Sequence, residues 1–377
     1  MKLAVIQPHL HVYGGVEKVI LEIAKNFDVT VYTLTYKPES LYPEFGNLDI
    51  RVLKPMWPSA LLPSNRIFNA LKASWTFYKT ELDDYDIINP HGSPAEWIAN
   101  KNSNVLWYNH GIMREVFDIS SFRRKAYKPP TRVAHFVFSN IFKFIEKHMV
   151  KNISYTLTNS NYSKTLLWKY LGIEAEVLHP AVDLGHFKPK AHSKYFLVVS
   201  RIGYEKRQHY AIEAFKKFIQ KTKRKDWKLI IAGGYGDGGK AQEDYFNMLK
   251  SIAPKNVQFM LNITEPEKRK LIENCYALLF PSMNEPFGIV PLEAMAAGKV
   301  VIVMRDCGGP LDYMQEGKNG FIAPSIEAMA DRMNFLVEHR KINEEMGKFA
   351  RKYVFNNFKT HDFIRAFKKA CRLVMGG

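Results

Sequence analysis

The sequence predicts an α/β protein made of two doubly wound, parallel-sheet domains in series. Three observations carry this. Short apolar runs of strand length alternate with amphipathic helical stripes along nearly the whole chain. The rhythm breaks once, over residues 177–190 (VLHPAVDLGHFKPK), where two prolines interrupt any periodicity, and then restarts. The 377 residues also suit two domains of roughly 100–200 residues each better than one.

In the first half, LAVI (3–6) reads as a buried strand leading through a polar loop to Gly14-Gly15. Val16, Val19, Ile20, Ile23, Ala24 and Phe27 then recur at helical spacing. VTVYTL (29–34), IRVL (50–53), DIIN (86–89), VLWY (105–108) and YTLT (155–158) are the further strands. In the second half, YFLVVS (195–200) precedes a helix with Ala211, Ala214, Phe215 and Phe218 on one side. KLIIAGG (228–234), VQFM (257–260), ALLFPS (277–282) and VVIVM (300–304) follow as strands, with helices near 241–252, 265–275 and 289–298. Phe363, Ala366, Phe367, Ala370, Cys371 and Val374 stripe a last helix. The expected domains are 1–183 and 184–357. Ligands of such sheets bind beyond the carboxyl ends of the strands, where the strand order switches. Two domains facing each other would place the site in their cleft.

Composition bounds the partners. The net charge is +17 and uneven: residues 122–151 hold eight Lys/Arg against one acidic residue, 186–228 hold thirteen against three, and 339–377 hold ten against three. Clustered cations attract nucleotide diphosphates, acidic lipid surfaces or nucleic acid. Cys275, Cys307 and Cys371 are scattered, odd in number and lack metal-ligand spacing, so reduced thiols are expected. No run approaches the roughly 20 apolar residues of a bilayer span. The first apolar run is too short for a signal-peptide core, and a cytoplasmic protein is expected.

Four motifs carry chemistry. Gly14-Gly15 opens the first helix, where a bare backbone and free N–H groups admit a phosphate or sugar, or simply form a tight turn. Asn109-His110-Gly111 follows the strand VLWY, and an imidazole there can meet a sugar hydroxyl or satisfy a backbone carbonyl. In SRIGYEKR (200–207), Arg201 and Lys206 sit on a strand-to-helix loop; the guanidinium can grip a diphosphate in bidentate fashion while the ammonium acts as a point charge. In EPFGIVPLE (285–293), Glu285 lies on a loop and Glu293 inside the following helix, with Phe287-Gly288 between them. Two acceptor-only carboxylates suit a polyol, and exposed N–H groups suit its phosphate.

In combination, Arg201, Lys206 and the Glu285–Glu293 pair in its EPFG context resemble the retaining glycosyltransferases of family four, which have the GT-B fold. The resemblance covers nearly the whole chain. It implies two Rossmann-like domains facing a cleft, with the last helix, about 358–377, crossing back to the N-terminal domain. Arg201 and Lys206 would bind the donor diphosphate. Glu293 would bind the ribose hydroxyls, and Glu285 those of the transferred sugar. Phe287 and Gly288 would contact sugar and phosphate through the backbone. His110 would orient the donor sugar at the reacting centre, and Gly15 would let the first domain approach the diphosphate. The family needs no bound metal, and the nucleotide sugar is a substrate rather than a cofactor. QPHLHVYGGVEKVILEIA (7–24), GYEKRQ (203–208) and CGGPLDYM (307–314) are further similar to the lipid-linked-oligosaccharide mannosyltransferases of the family. That implies GDP-mannose as donor and a polyprenyl-linked glycan as acceptor. Arg207 stands where many members have glycine, and Gly111 where aspartate is common.

Residues 122–151 bear on such an acceptor. Arg123, Arg124, Lys125, Lys128 and Arg132 precede a helix with Phe136, Phe138, Phe142 and Phe144, which do not all share one face. Basic and aromatic residues side by side suit peripheral binding to an anionic membrane, or a core helix beside a solvated loop. Two other functions compete. A sugar-nucleotide epimerase or hydrolase would use the same architecture, but the Glu285/Glu293 spacing does not supply its acid/base pair. A nucleic-acid-binding protein would explain the charge, but no recognition motif accompanies it, so no nucleic-acid partner is expected.

Overall fold

A computed structural model describes residues 1–56, 66–114, 116–125, 129–182, 184–235 and 239–376. The chain divides into two compact units, Met1–Val182 with Lys359–Gly377, and Asp183–Phe358. Each has its own sheet and core.

The first unit centres on four parallel strands in the order Asp49–Val52, Asp28–Thr33, Lys2–Ile6, Ile87–Pro90. A parallel bridge from Ile88 to Val105 leads to three more, Leu106–Asn109, Tyr155–Thr158 and Glu176–Val177. The strand order therefore reverses between Lys2–Ile6 and Ile87–Pro90. Every residue of Leu3–Ile6 is buried, as expected of a strand covered on both faces. On one face, Val19, Ile20 and Ile23 of helix Gly15–Ala24 pack with Phe363, Phe367, Cys371 and Val374 of the last helix, Thr360–Met375. On the other, Phe77, Trp97, Trp107, Phe142 and Leu167 form a second core.

The second unit holds six parallel strands in the order Val257–Leu261, Lys228–Gly233, Tyr195–Val199, Ala277–Phe280, Val300–Met304, Gly320–Ala323. Its order reverses between Tyr195–Val199 and Ala277–Phe280. Both sequence motifs of this half sit on the loops leaving those two strands, so the topology itself brings them to one crevice.

The elements differ from expectation mainly at their ends. Strand Ala277–Phe280 stops short of Ser282 because Pro281 has no N–H to give the ladder. Helix Ile289–Ala296 ends before Gly298, whose φ of +70° is left-handed. Helix Glu265–Asn274 starts at a capping box between Thr264 and Glu267. Strand Gly320–Ala323 and helices Arg66–Lys79, Asn161–Leu171, Ile326–Glu338 and Arg340–Asn357 were not anticipated.

Candidate active site

In the second unit, the loop after Tyr195–Val199 is held by its own backbone. Ser200 N–H donates to Ala232 and Ile202 N–H to Gly234. The Gln208 amide donates to Ser200 Oγ and to the Arg201 carbonyl, both at 2.8 Å. Gly233, at φ +152°, is where the neighbouring strand passes so close that a Cβ would lie 2.0 Å from the Ser200 carbonyl oxygen. Arg201 is exposed, and among the described residues its guanidinium forms no ion pair. Lys206 ends a short 3₁₀ turn, Tyr204–Lys206.

The opposite loop is braced against the CGGP segment. Glu285 N–H donates to the Cys307 carbonyl at 2.6 Å, and Gly309 N–H donates back to Glu285 at 2.7 Å. Gly308 has φ +84°, and a Cβ on Gly309 would meet the Pro286 carbonyl oxygen at 2.1 Å, so these positions need bare backbone. Tyr313 Oη donates to the carbonyls of Phe287 and Gly288, and its ring meets Phe287 edge-on at 5.6 Å. Gly288, at φ +79°, starts helix Ile289–Ala296 with no side-chain cap, which leaves first-turn N–H groups facing the crevice end.

These two loops meet. Lys206 Nζ and the Glu285 carboxylate form a largely buried ion pair, joining residues 79 apart in sequence. Glu293 is buried on the following helix, and its Oε1 accepts from Lys268 Nζ at 3.1 Å. Lys268 also reaches Glu265 at 2.9 Å. Burial pulls the Lys268 ammonium down, but Glu293 and Glu265 outweigh it and hold the group above its ordinary pKa. The two glutamates expected as open acceptors are thus each gripped by a lysine. Lys206 was anticipated and Lys268 was not; its helix position, 25 residues before Glu293, carries no spacing signal. Arg201 touches neither glutamate.

Arg207 explains its own oddity. Its φ is +49°, a left-handed conformation that glycine adopts without strain. The guanidinium compensates with two 2.8 Å hydrogen bonds to Asp306 and a stack 4.9 Å from the Tyr210 ring.

In the first unit, Gly15 is the first residue of its helix, again without a side-chain cap. His110 follows strand Leu106–Asn109, and its ring stacks on His91 at 5.0 Å. His91 stands at the strand switch, directly after Ile87–Pro90, and sequence reasoning passed over it. Here one backbone carbonyl fixes a chain of proton positions. The Leu106 carbonyl can only accept, so Asn89 turns its amide nitrogen to it, at 2.6 Å. Asn89 Oδ1 therefore faces His91 Nε2 at 2.7 Å, and that nitrogen donates. His91 is fully buried and burial, with His110 beside it, holds its pKa well below the ordinary range. The neutral ring then presents Nδ1 as an acceptor, and His110 Nε2–H donates to it at 2.8 Å. His110, pulled down to about 3 by burial, keeps its Nδ1 as a lone-pair acceptor.

Among the described residues, no group of His, Cys, Asp or Glu is placed to hold a metal ion, and no helix is long and apolar enough to cross a membrane. Of the basic residues before the aromatic helix, the side chains of Arg123 and Lys125, and the whole of Lys128, lie outside the described residues.

Comparison with known proteins gives two family matches: Glycosyltransferase Family 4 over residues 13–186 and Glycosyl transferases group 1 over residues 186–353. The α-1,3/1,6-mannosyltransferase ALG2 of Dictyostelium discoideum is 26% identical, over 97% of this chain and 96% of its own. The D-rhamnosyltransferase WbpZ of Pseudomonas aeruginosa is 25% identical, over 89% of this chain and 86% of its own. Among solved structures, Anabaena Alr3699/HepE in complex with UDP-glucose superposes with a TM-score of 0.75 at 17% identity, covering 98% of both chains.

Proposed function

Because the chain belongs to the family-four glycosyltransferases of GT-B fold, we propose that it transfers a hexose, mannose in first place, from a nucleoside-diphosphate sugar to a lipid-linked glycan. We further propose that transfer retains the anomeric configuration and needs neither metal nor cofactor. The observation that carries this reading is the Lys206–Glu285 pair at the strand switch, with Glu293 on the adjoining helix.

Each residue has a chemical task. Arg201 and Lys206 offset the negative charge that grows on the diphosphate as the glycosidic bond breaks. Lys206 has three N–H donors, so it can hold Glu285 and a phosphate oxygen together. Glu285 accepts from hydroxyls of the sugar and Glu293 from those of the ribose, with Lys268 holding the second carboxylate in place. N–H groups near Phe287 and Gly288 bind phosphate at an uncapped helix start. The neutral His110 accepts a hydrogen bond from a sugar hydroxyl through Nδ1, which fixes the sugar's orientation. Gly15, at an uncapped helix start, would offer bare backbone and free N–H groups to a phosphate. A diphosphate oxygen can take the acceptor's proton, so no protein base is needed. The mannosyltransferase and rhamnosyltransferase relatives support a 6-carbon sugar donor, and the segments similar to lipid-linked-oligosaccharide mannosyltransferases support a lipid-linked acceptor. The basic segment 122–151 suits peripheral attachment on its cytoplasmic side.

The test is transfer by the purified protein onto a polyprenyl-diphosphate-linked oligosaccharide, comparing GDP-mannose, a nucleoside-diphosphate rhamnose and UDP-glucose. We expect an α-linked mannosyl product, unchanged by EDTA. Conversion of the free donor to an epimer without acceptor would replace this reading with the epimerase one.

A further inference from the structure

Helix Pro129–Met149 is apolar on both sides: Phe138, Phe142, Ile145 and Met149 pack on the core, and further apolar residues face outward. Its inward face carries His135, Ser139 and Glu146 beside Phe142, all buried. Glu146 accepts from Trp97 Nε1 at 2.6 Å, and Ser139 lies 3.3 Å from His135 Nδ1. The outward face is largely apolar, with the exposed Asn140 among its residues: Val133 is 64% exposed, Phe136 51%, Val137 48%, Ile141 54% and Phe144 68%. These positions recur at i, i+3, i+4, i+8 and i+11, one stripe about 16 Å long at the helical rise. A stripe of this kind turned to water marks an interaction face rather than a solvated surface.

The rim of the stripe identifies the partner. Arg132, Lys143 and Lys147 flank it on the same helix, Lys151 follows, and the Arg124 guanidinium lies 5.2 Å from the Phe136 ring centre. The helix's one carboxylate, Glu146, is turned inward, so its outer face bears no negative charge. At the C-terminal end, Lys147 and Lys151 join Lys164 and the exposed Trp168, with Glu174 and Glu176 beside them, in lining a cavity of about 1040 Å³. Apolar residues between cations, with an indole at the margin, match the interface of an anionic bilayer. A second copy of the chain is disfavoured, since pairing two such faces would bring like charges together.

We propose that this face inserts shallowly into an anionic membrane, with Val133, Phe136, Val137, Ile141 and Phe144 among the upper acyl chains and the lysines and arginines at the headgroups. The inference extends the reading of a lipid-linked acceptor, but it assigns the attachment to the apolar stripe and not to basic residues alone. Its test is co-sedimentation of the full chain with phosphatidylcholine vesicles, with and without phosphatidylglycerol. The wild type should bind the anionic vesicles, and salt should weaken but not abolish binding. The triple variant Phe136→Ser, Ile141→Ser, Phe144→Ser, all at exposed positions, should lose at least about tenfold in binding while keeping nucleotide affinity. A separate Phe144→Trp variant should shift its fluorescence to the blue on anionic vesicles. Equal binding by the triple variant overturns the proposal. So does a dimer in solution that the triple variant dissolves, without vesicle binding. Vesicle binding without transfer to a lipid-linked sugar would leave this inference standing and refute only the acceptor.

Discussion

The two units solve the same topological problem with opposite chemistry. Each presents loops at a reversal of strand order. In the second unit those loops bring charges together, Lys206 with Glu285, with Lys268 and Glu293 paired beside them. In the first, they bring together two histidines that burial keeps neutral, hydrogen-bonded in a chain from a single backbone carbonyl. Under the proposed function, the charged loops of one half would meet the multiply charged diphosphate and the neutral histidines of the other would orient an uncharged polyol. A buried imidazolium beside a second imidazole would be expensive, whereas a lysine beside a carboxylate stabilises its partner's charge.

Activity should separate the halves most strongly. Arg201→Ala and Lys206→Ala are each expected to lower kcat/KM by at least about 100-fold, the scale of lost charge stabilisation in a transition state. His110→Ala should cost only about tenfold, the worth of one neutral hydrogen bond. If His110 instead carried a charge, its loss would match the lysine's, and the pH profile of kcat between 5 and 8 would lose a limb in His110→Gln. Either result would break the contrast.

The contrast was only half legible in the sequence. The loop after Tyr195–Val199 and the EPFG loop were readable because their residue types are rare together and their chemistry is local. Lys268 was not, because its partnership with Glu293 arises from packing between two helices, and an exposed-looking EPEKRK run reads as solvated. His91 had one usable signal, a histidine directly after the strand IINP, but its role depends on Asn89 and Leu106 across a sheet. Helix Pro129–Met149 shows a different limit. A 3.6-residue period reveals a stripe but not which side of it faces the core, and the burial of His135, Ser139 and Glu146 is visible only in the fold.

Stability against pH sharpens the neutral half. Both His91 and His110 have folded-state pKa values below the unfolded one, so their contribution is present above about pH 6.5 and is lost as pH falls. By pH 5 each should cost about 1–2 kcal/mol. Glu96 and Glu146 in the same unit act in the opposite sense, since burial raises both and their protonated form favours folding at low pH. The informative measurement is therefore a double difference. Urea unfolding at pH 7 and pH 5, compared between wild type and His91→Gln, should show a smaller acid loss in the variant. An identical loss would mean that the His91 ring is not an acid-sensitive group.

The smallest expected effect lies at Arg207, inside the charged half but outside its pairing. Its left-handed backbone costs about 1 kcal/mol for a residue with a Cβ. The hydrogen bonds to the half-exposed Asp306 and the stack on Tyr210 return a similar amount. Arg207→Gly removes both the strain and the compensation, so stability should change by less than about 1 kcal/mol. Arg207→Ala keeps the strain and loses the compensation, and should destabilise by about 1–2 kcal/mol. Urea midpoints would rank the three proteins. Transfer should vary by less than roughly threefold among them, because the guanidinium is turned to Asp306 while Lys206 holds Glu285. A glycine variant no more stable than the alanine one would show that the left-handed backbone does not limit what this position tolerates, and that the lost ion pair and ring stack account for the loss in both.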